Sequence, residues 1–237
     1  MRLDKLLSHL GVASRSETKA LVRGGRVLIA GERAKSADAE VPPGTAVTLD
    51  GREIDVRLER FLMMNKPAGV LTAAEDRRQK TVMDLLPPAY AALGCMPVGR
   101  LDKDTTGLLL FTTDGVLAHR LIAPRSHVDK VYIARVDGAL TAADASAFAA
   151  GIALGDFTAL PAELEILSPD TGRVTVREGK YHQVKRMFAA RGKPVTALER
   201  VAFGPLTLDG GLAPGEYREL NAEETAALYA AAGIRHE

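Results

Sequence analysis

Residues 99–115 read GRLDKDTTGLLLFTTDG. Arg100, Asp102, Asp104, Thr105 and Thr106 lead through Gly107 into an unbroken apolar run, 108–111, that reads as a strand. Asp114 and Gly115 then form a turn and cap ahead of the helix signal GVLAHRLI. Working outward, strand signals fall at FLMM, KVYIARV, AELEIL, RVTVR and VAFGPLTL, and helix signals at VMDLL, TAADASAFAAG, YHQVKRMFAARG and AEETAALYAAAG. Most strands neighbour other strands, without a βαβ rhythm. The expected fold class is therefore α+β, a mixed, mainly antiparallel sheet with helices against it.

The N-terminal region differs. Leu3, Leu6, Leu7 and Leu10 recur at helical spacing, SRSE at 14–17 is a capping box, and RVLIAGERA and AVTLDG are short strands around tight turns. We expect a compact α/β module over residues 1–52, a charged linker over 53–60 and a larger domain over 61–237. The composition, 46% hydrophobic and 26% charged, can bury a core. No stretch approaches the roughly 18 apolar residues of a membrane span, and Asp4 and Lys5 interrupt what a signal peptide would need, so a cytoplasmic protein with no membrane partner is expected. Cys95, the single cysteine, allows neither an internal disulfide nor a thiolate cluster for zinc, and reads as a small buried apolar side chain.

Net charge is only +1, but it is uneven. Residues 1–35 carry eight basic against three acidic side chains, and residues 177–200 carry seven against two. Two basic islands suit a polyanion touched at two places, and equally two solvated faces.

The acidic stretch admits several chemistries. Asp102, Asp104 and Thr106 before Gly107 mimic the first half of a calcium loop, but Thr113 stands where the bidentate glutamate belongs. A D-x-D-x-T phosphotransferase needs an apolar strand leading directly into its first aspartate and a later acidic pair, and neither is present. By residue type alone, the plainest reading is an aspartate fixing a turn. The remaining reading is a carboxylate nucleophile, which needs no general base but does need a cation beside it; Arg100, Lys185 and Arg186 are candidates.

GRLDKDTTGLLL, with FLMMNKPAGVL upstream, KVYIARV in the middle and EGKYHQVKRMFAARG late, resembles the pseudouridine synthases, specifically the branch modifying bacterial small-subunit ribosomal RNA. RLDKLLSHLGVASRSETKALVRGGRVLIAGE resembles the small RNA-binding domain, named after a ribosomal protein, that this branch carries in front of its catalytic domain. The resemblance implies that Asp102 is the catalytic aspartate and that Arg100 holds the flipped nucleotide. It further implies that Tyr132 stacks on the target base and that Lys185 pairs with the aspartate, where related branches use arginine. Arg2, Lys5, Arg15, Lys19, Arg23 and Arg186 are the expected RNA-binding residues; His182 and Gln183 receive no catalytic role. The implied reaction breaks the uridine N1–C1′ bond, turns the uracil and rejoins it through C5, with neither cofactor nor metal. The implied partner is 16S ribosomal RNA, at a uridine of the position-516 type, in a ribosomal assembly intermediate; a monomer is the simplest expectation. A non-catalytic RNA-binding or ribosome-assembly factor on the same scaffold is the alternative from another class.

Overall fold

The leucine spacing at the N terminus produces a helix, α1 (Leu3–His9), with Leu3, Leu6 and Leu7 buried beneath it. The second helix, α2 (Arg15–Arg23), begins at the capping box: the Ser14 hydroxyl accepts from the Glu17 N–H at 3.3 Å, and the Glu17 carboxylate accepts from the Ser14 N–H at 2.7 Å. Strands β1 (Val27–Ile29), β2 (Glu32–Arg33), β3 (Val47–Leu49) and β4 (Arg52–Ile54) form an antiparallel sheet in the order β2-β1-β3-β4. Pairing thus runs through Ile54, past the expected end of the module at residue 52, because Glu53 and Ile54 continue a hairpin around Asp50 and Gly51.

In this computed structural model, which describes residues 1–235, the chain divides into two units: Met1–Arg60 with Leu86–Met96, and Phe61–Leu85 with Pro97–Glu237. The excursion at Leu86–Met96 was unforeseen. It contains a short helix, α3 (Pro88–Ala92), started by proline in its first turn, and Leu93 packs on the leucine core of the first unit. Cys95 is buried, as its single occurrence suggested.

The second unit is built on one mixed sheet. Its strands are β5 (Phe61–Lys66), β6 (Met96–Pro97), β7 (Thr106–Thr112), β8 (Lys130–Val136), β9 (Glu163–Ser168), β10 (Thr171–Val176), β11 (Val195–Phe203), β12 (Leu206–Thr207) and β13 (Tyr217–Glu219). The main order is β13-β5-β7-β11-β8-β10-β9, antiparallel at each pairing except β7 with β11. The expected α+β class is what forms. Helices α4 (Gly115–Ile122), α5 (Ala142–Ala150), α6 (Gln183–Ala190) and α7 (Ala222–Ala231) cover the sheet through two apolar clusters, one around Leu117, Leu121, Leu228 and Phe203, the other around Phe148, Phe188 and Val174. The cap at Asp114 is real: its carboxylate accepts from the Val116 and Leu117 N–H groups at 2.8 and 3.0 Å, and from the Tyr229 hydroxyl at 2.6 Å.

Strand β7 explains the apolar run. Leu108, Leu109, Leu110 and Phe111 are each at most 1% exposed, so both strand faces are covered and no alternation appears. At its start, Gly107 faces Arg200 in the parallel pairing. A Cβ there would lie 2.3 Å from the Arg200 carbonyl oxygen, and φ is +96°. The glycine of DTTG is therefore needed for close backbone approach and for a conformation that L side chains avoid. Gly107→Ala is expected to lower unfolding free energy by about 2–4 kcal/mol, read as a fall in urea midpoint; an unchanged midpoint would mean that β7 and β11 can separate without cost.

Candidate active site

Asp102 lies in the segment leading into β7, and that segment is held at several points. The Lys66 side chain, at the end of β5, is fully buried, and its ammonium donates to the carbonyl oxygens of Pro67 (3.0 Å), Lys103 (3.2 Å) and Thr105 (2.9 Å). Burial pushes its pKa down to about 8, with Asp104 and Asp102 acting in the opposite direction. The Thr72 hydroxyl donates to the Leu101 carbonyl at 2.8 Å and accepts from the Leu101 N–H at 3.2 Å. The Thr105 N–H closes a turn onto the Asp102 carbonyl at 3.1 Å.

The carboxylate itself is partly exposed. Lys185, from the first turn of α6, places its ammonium 2.9 Å from Asp102 Oδ2 and 2.5 Å from Asp104 Oδ1. Burial works against the lysine charge, but the hydrogen bonds its ammonium donates to Asp104 and Asp102 outweigh it, so its pKa stands above the ordinary lysine value. The same contact with Lys185 lowers the Asp104 pKa. Asp104 therefore also holds the cation. His182 Nε2 approaches Asp102 Oδ1 at 3.4 Å, a proximity that the sequence reading left unassigned.

These groups border an open cavity lined among others by Arg100, Asp102, Tyr132, His182, Lys185 and Leu198. Tyr132 stands on β8 directly opposite Arg200 on β11. Arg200 is almost completely buried and donates through Nε to the Leu108 carbonyl at 2.8 Å. Burial drives its pKa down, and the Tyr132 side chain beside it works the other way. Among the described residues, no three His, Cys, Asp or Glu side chains gather as a metal site would require.

The expected RNA-binding residues fall into two groups. Arg2, Lys5, Arg15, Lys19 and Arg23 are exposed on the first unit, the last three spaced four apart along one face of α2. Arg186 belongs to the second unit and is engaged structurally, bonding Asp156 and, at 2.8 Å, the Leu154 carbonyl. Its neighbours in the second basic island are similarly occupied: Arg177 pairs with Asp129, Arg191 and Lys193 pair with the buried Asp144, and Arg200 is internal. That island is therefore not a free cationic face, because acids distant in sequence neutralise it.

A mixed sheet with an aspartate–lysine pair at the edge of an open cavity, joined to a small module with a basic helix, matches a known class. Residues 60–190 match the RNA pseudouridylate synthase family and residues 1–47 match the S4 domain; the chain belongs to the RNA pseudouridine synthases. It is 48% identical over 230 residues to the uncharacterized RNA pseudouridine synthase YtzG of Bacillus subtilis, covering 94% of this chain and 96% of the relative. It is 43% identical to ribosomal small subunit pseudouridine synthase A of Yersinia pestis (96% and 98% covered) and 40% identical to that of Escherichia coli K12 (96% and 100%). A crystal structure of a pseudouridylate synthase superposes with a TM-score of 0.68 at 35% identity, over 96% of this chain and 99% of that one.

The buried lysine has a pH signature. Its native pKa of about 8 lies below the 10.5 of a free lysine, so between these values the unfolded chain binds the additional proton and stability contributed at this position rises with pH. The stability advantage of wild type over Lys66→Met, from urea unfolding at pH 7.5 and pH 10, should therefore widen at the higher pH. An advantage that narrows over this range would show that burial does not depress the ammonium.

Proposed function

We propose that this enzyme isomerises a uridine of 16S ribosomal RNA, of the position-516 type, with Asp102 as the catalytic carboxylate. The small-subunit assignment rests on relatives named ribosomal small subunit pseudouridine synthase A that align along 96% of the chain. The single observation that carries the chemistry is the Lys185 ammonium 2.9 Å from the Asp102 carboxylate at the edge of the cavity. A carboxylate that must act on a sugar needs a cation to balance and orient it once substrate excludes water, and Lys185 supplies one.

The N1–C1′ bond is inaccessible in stacked RNA, so the target nucleotide is flipped into the cavity at a cost of a few kcal/mol. Tyr132 stacks on the base, which offsets about 1–3 kcal/mol of that cost, and Arg100 binds the flipped nucleotide. Asp102 then acts on the ribose, by attack at C1′ or by removing the 2′ proton, while uracil leaves through N1. After the ring turns, C5 bonds to C1′ as the Asp102–C1′ bond breaks, or as Asp102 returns the proton to C2′, and the C5 proton is then removed, a step in which Tyr132 assists. The module at residues 1–52 holds the RNA backbone through Arg2, Lys5 and the α2 stripe of Arg15, Lys19 and Arg23, contacts that position without reading sequence. Arg186 supports the site through its contact with the 154–156 loop rather than through phosphate. The substrate is RNA within a ribosomal assembly intermediate, met by a monomer.

The test maps pseudouridine in small-subunit RNA, free and protein-bound, after incubation with wild type and Asp102→Asn. Wild type should modify one uridine, and Asp102→Asn should be slower by roughly 10³-fold or more while still binding RNA. Equal product from both would remove Asp102 from the chemistry. No product on any substrate would favour a non-catalytic assembly factor.

A further inference from the structure

The segment leading into α6 presents one side chain that the proposed catalysis does not use. Glu178, 7% exposed, accepts from the Leu160 N–H and from Gln183 Nε2, both at 2.8 Å, and Gln183 Oε1 accepts from the Lys180 N–H at 3.1 Å. Two buried polar anchors thus fix both ends of a short loop. Between them His182 takes a left-handed backbone conformation, φ 49° and ψ 31°, which a non-glycine residue adopts only when its surroundings impose it.

The tip of this fixed loop is an aromatic ring left in water. Tyr181 is 76% exposed, and its ring lies on the His182 imidazole with centroids 3.9 Å apart and planes 16° from parallel. Lys180 and His182 both line the cavity, while Tyr181 stands just outside it. The order from the cavity outward is therefore Asp102, His182 within 3.4 Å of it, then the Tyr181 ring with one face covered and the other free.

We infer that Tyr181, backed by His182, is a stacking platform for the nucleobase adjacent to the flipped uridine. The inference rests on the reading of the cavity as the site of that uridine. Extruding one nucleotide removes a stacking partner from its neighbours, so a flanking base arrives with a bare π-face. A ring stacked on another ring is already oriented to receive it with little further loss of side-chain freedom. Stacking needs no hydrogen-bond code, so the platform accepts any base while setting how deep the strand sits. Lys180, exposed beside it, offers a cation for the same strand's phosphate.

The experiment uses the full chain and an RNA segment containing the mapped uridine, either intact or with an abasic ribose immediately 5′ or 3′ of it. Tyr181→Ala should raise KM about 10-fold with kcat within twofold of wild type, and Tyr181→Phe should restore KM. On one of the two abasic RNAs, wild type should fall to the level of Tyr181→Ala, the two losses failing to add. Wild-type KM in Tyr181→Ala, or additive losses on both abasic RNAs, overturns the platform while leaving the catalytic reading intact. An enzyme that forms pseudouridine at no uridine of small-subunit RNA, free or protein-bound, overturns the catalytic reading and the platform with it.

Discussion

The site depends on the buried ammonium of Lys66. A lysine with no exposed side-chain surface is costly unless its donors are met, and here three backbone carbonyls meet them. Two of those carbonyls, on Lys103 and Thr105, belong to the segment that carries Asp102, and the third follows the lysine itself. The ion therefore ties the loop to the end of β5. Gly107 ties the next residues to β11, where any side chain would strike the Arg200 backbone. Between these fixed points the loop has little freedom, and its carboxylate meets Lys185 from α6 without an adjustment that substrate binding would have to supply.

Charge in the site is arranged in layers. On the open side, Asp102 and Asp104 share Lys185, with His182 beside them. Further in, Arg200 and Lys130 both lie near the Phe203 ring, at 5.0 and 5.2 Å from its centroid, and burial lowers the pKa of each, Lys130 to about 8. Aromatic contact and carbonyl acceptors stand in for carboxylates there.

The fold was legible where local rules are strong. Asp114, Ser14 with Glu17, and the alternation of KVYIARV each carry a short-range signal, and the observed caps and β8 follow it. The α3 excursion was not, because PPAYAA is too short and too featureless to announce a helix serving another unit's core. In the site, Asp102 and Lys185 were nominated through a resemblance; nothing local says that they lie 2.9 Å apart. Lys66 left no pattern, since a lysine ending a strand usually reaches water. The second basic island misled for a related reason. Charge counts along the chain do not see Asp129, Asp144 or Asp156, which fold back to neutralise it.

The central claim is that a lysine that never reaches the cavity sets the geometry of the carboxylate proposed as catalytic. Single-turnover pseudouridine formation by folded Lys66→Met, with enzyme in saturating excess over RNA, tests it most directly. The account predicts a rate constant lower on the order of 10²-fold, as for a reacting group displaced by about 1 Å, with RNA affinity unchanged. A folded variant that turns over at the wild-type rate would contradict it.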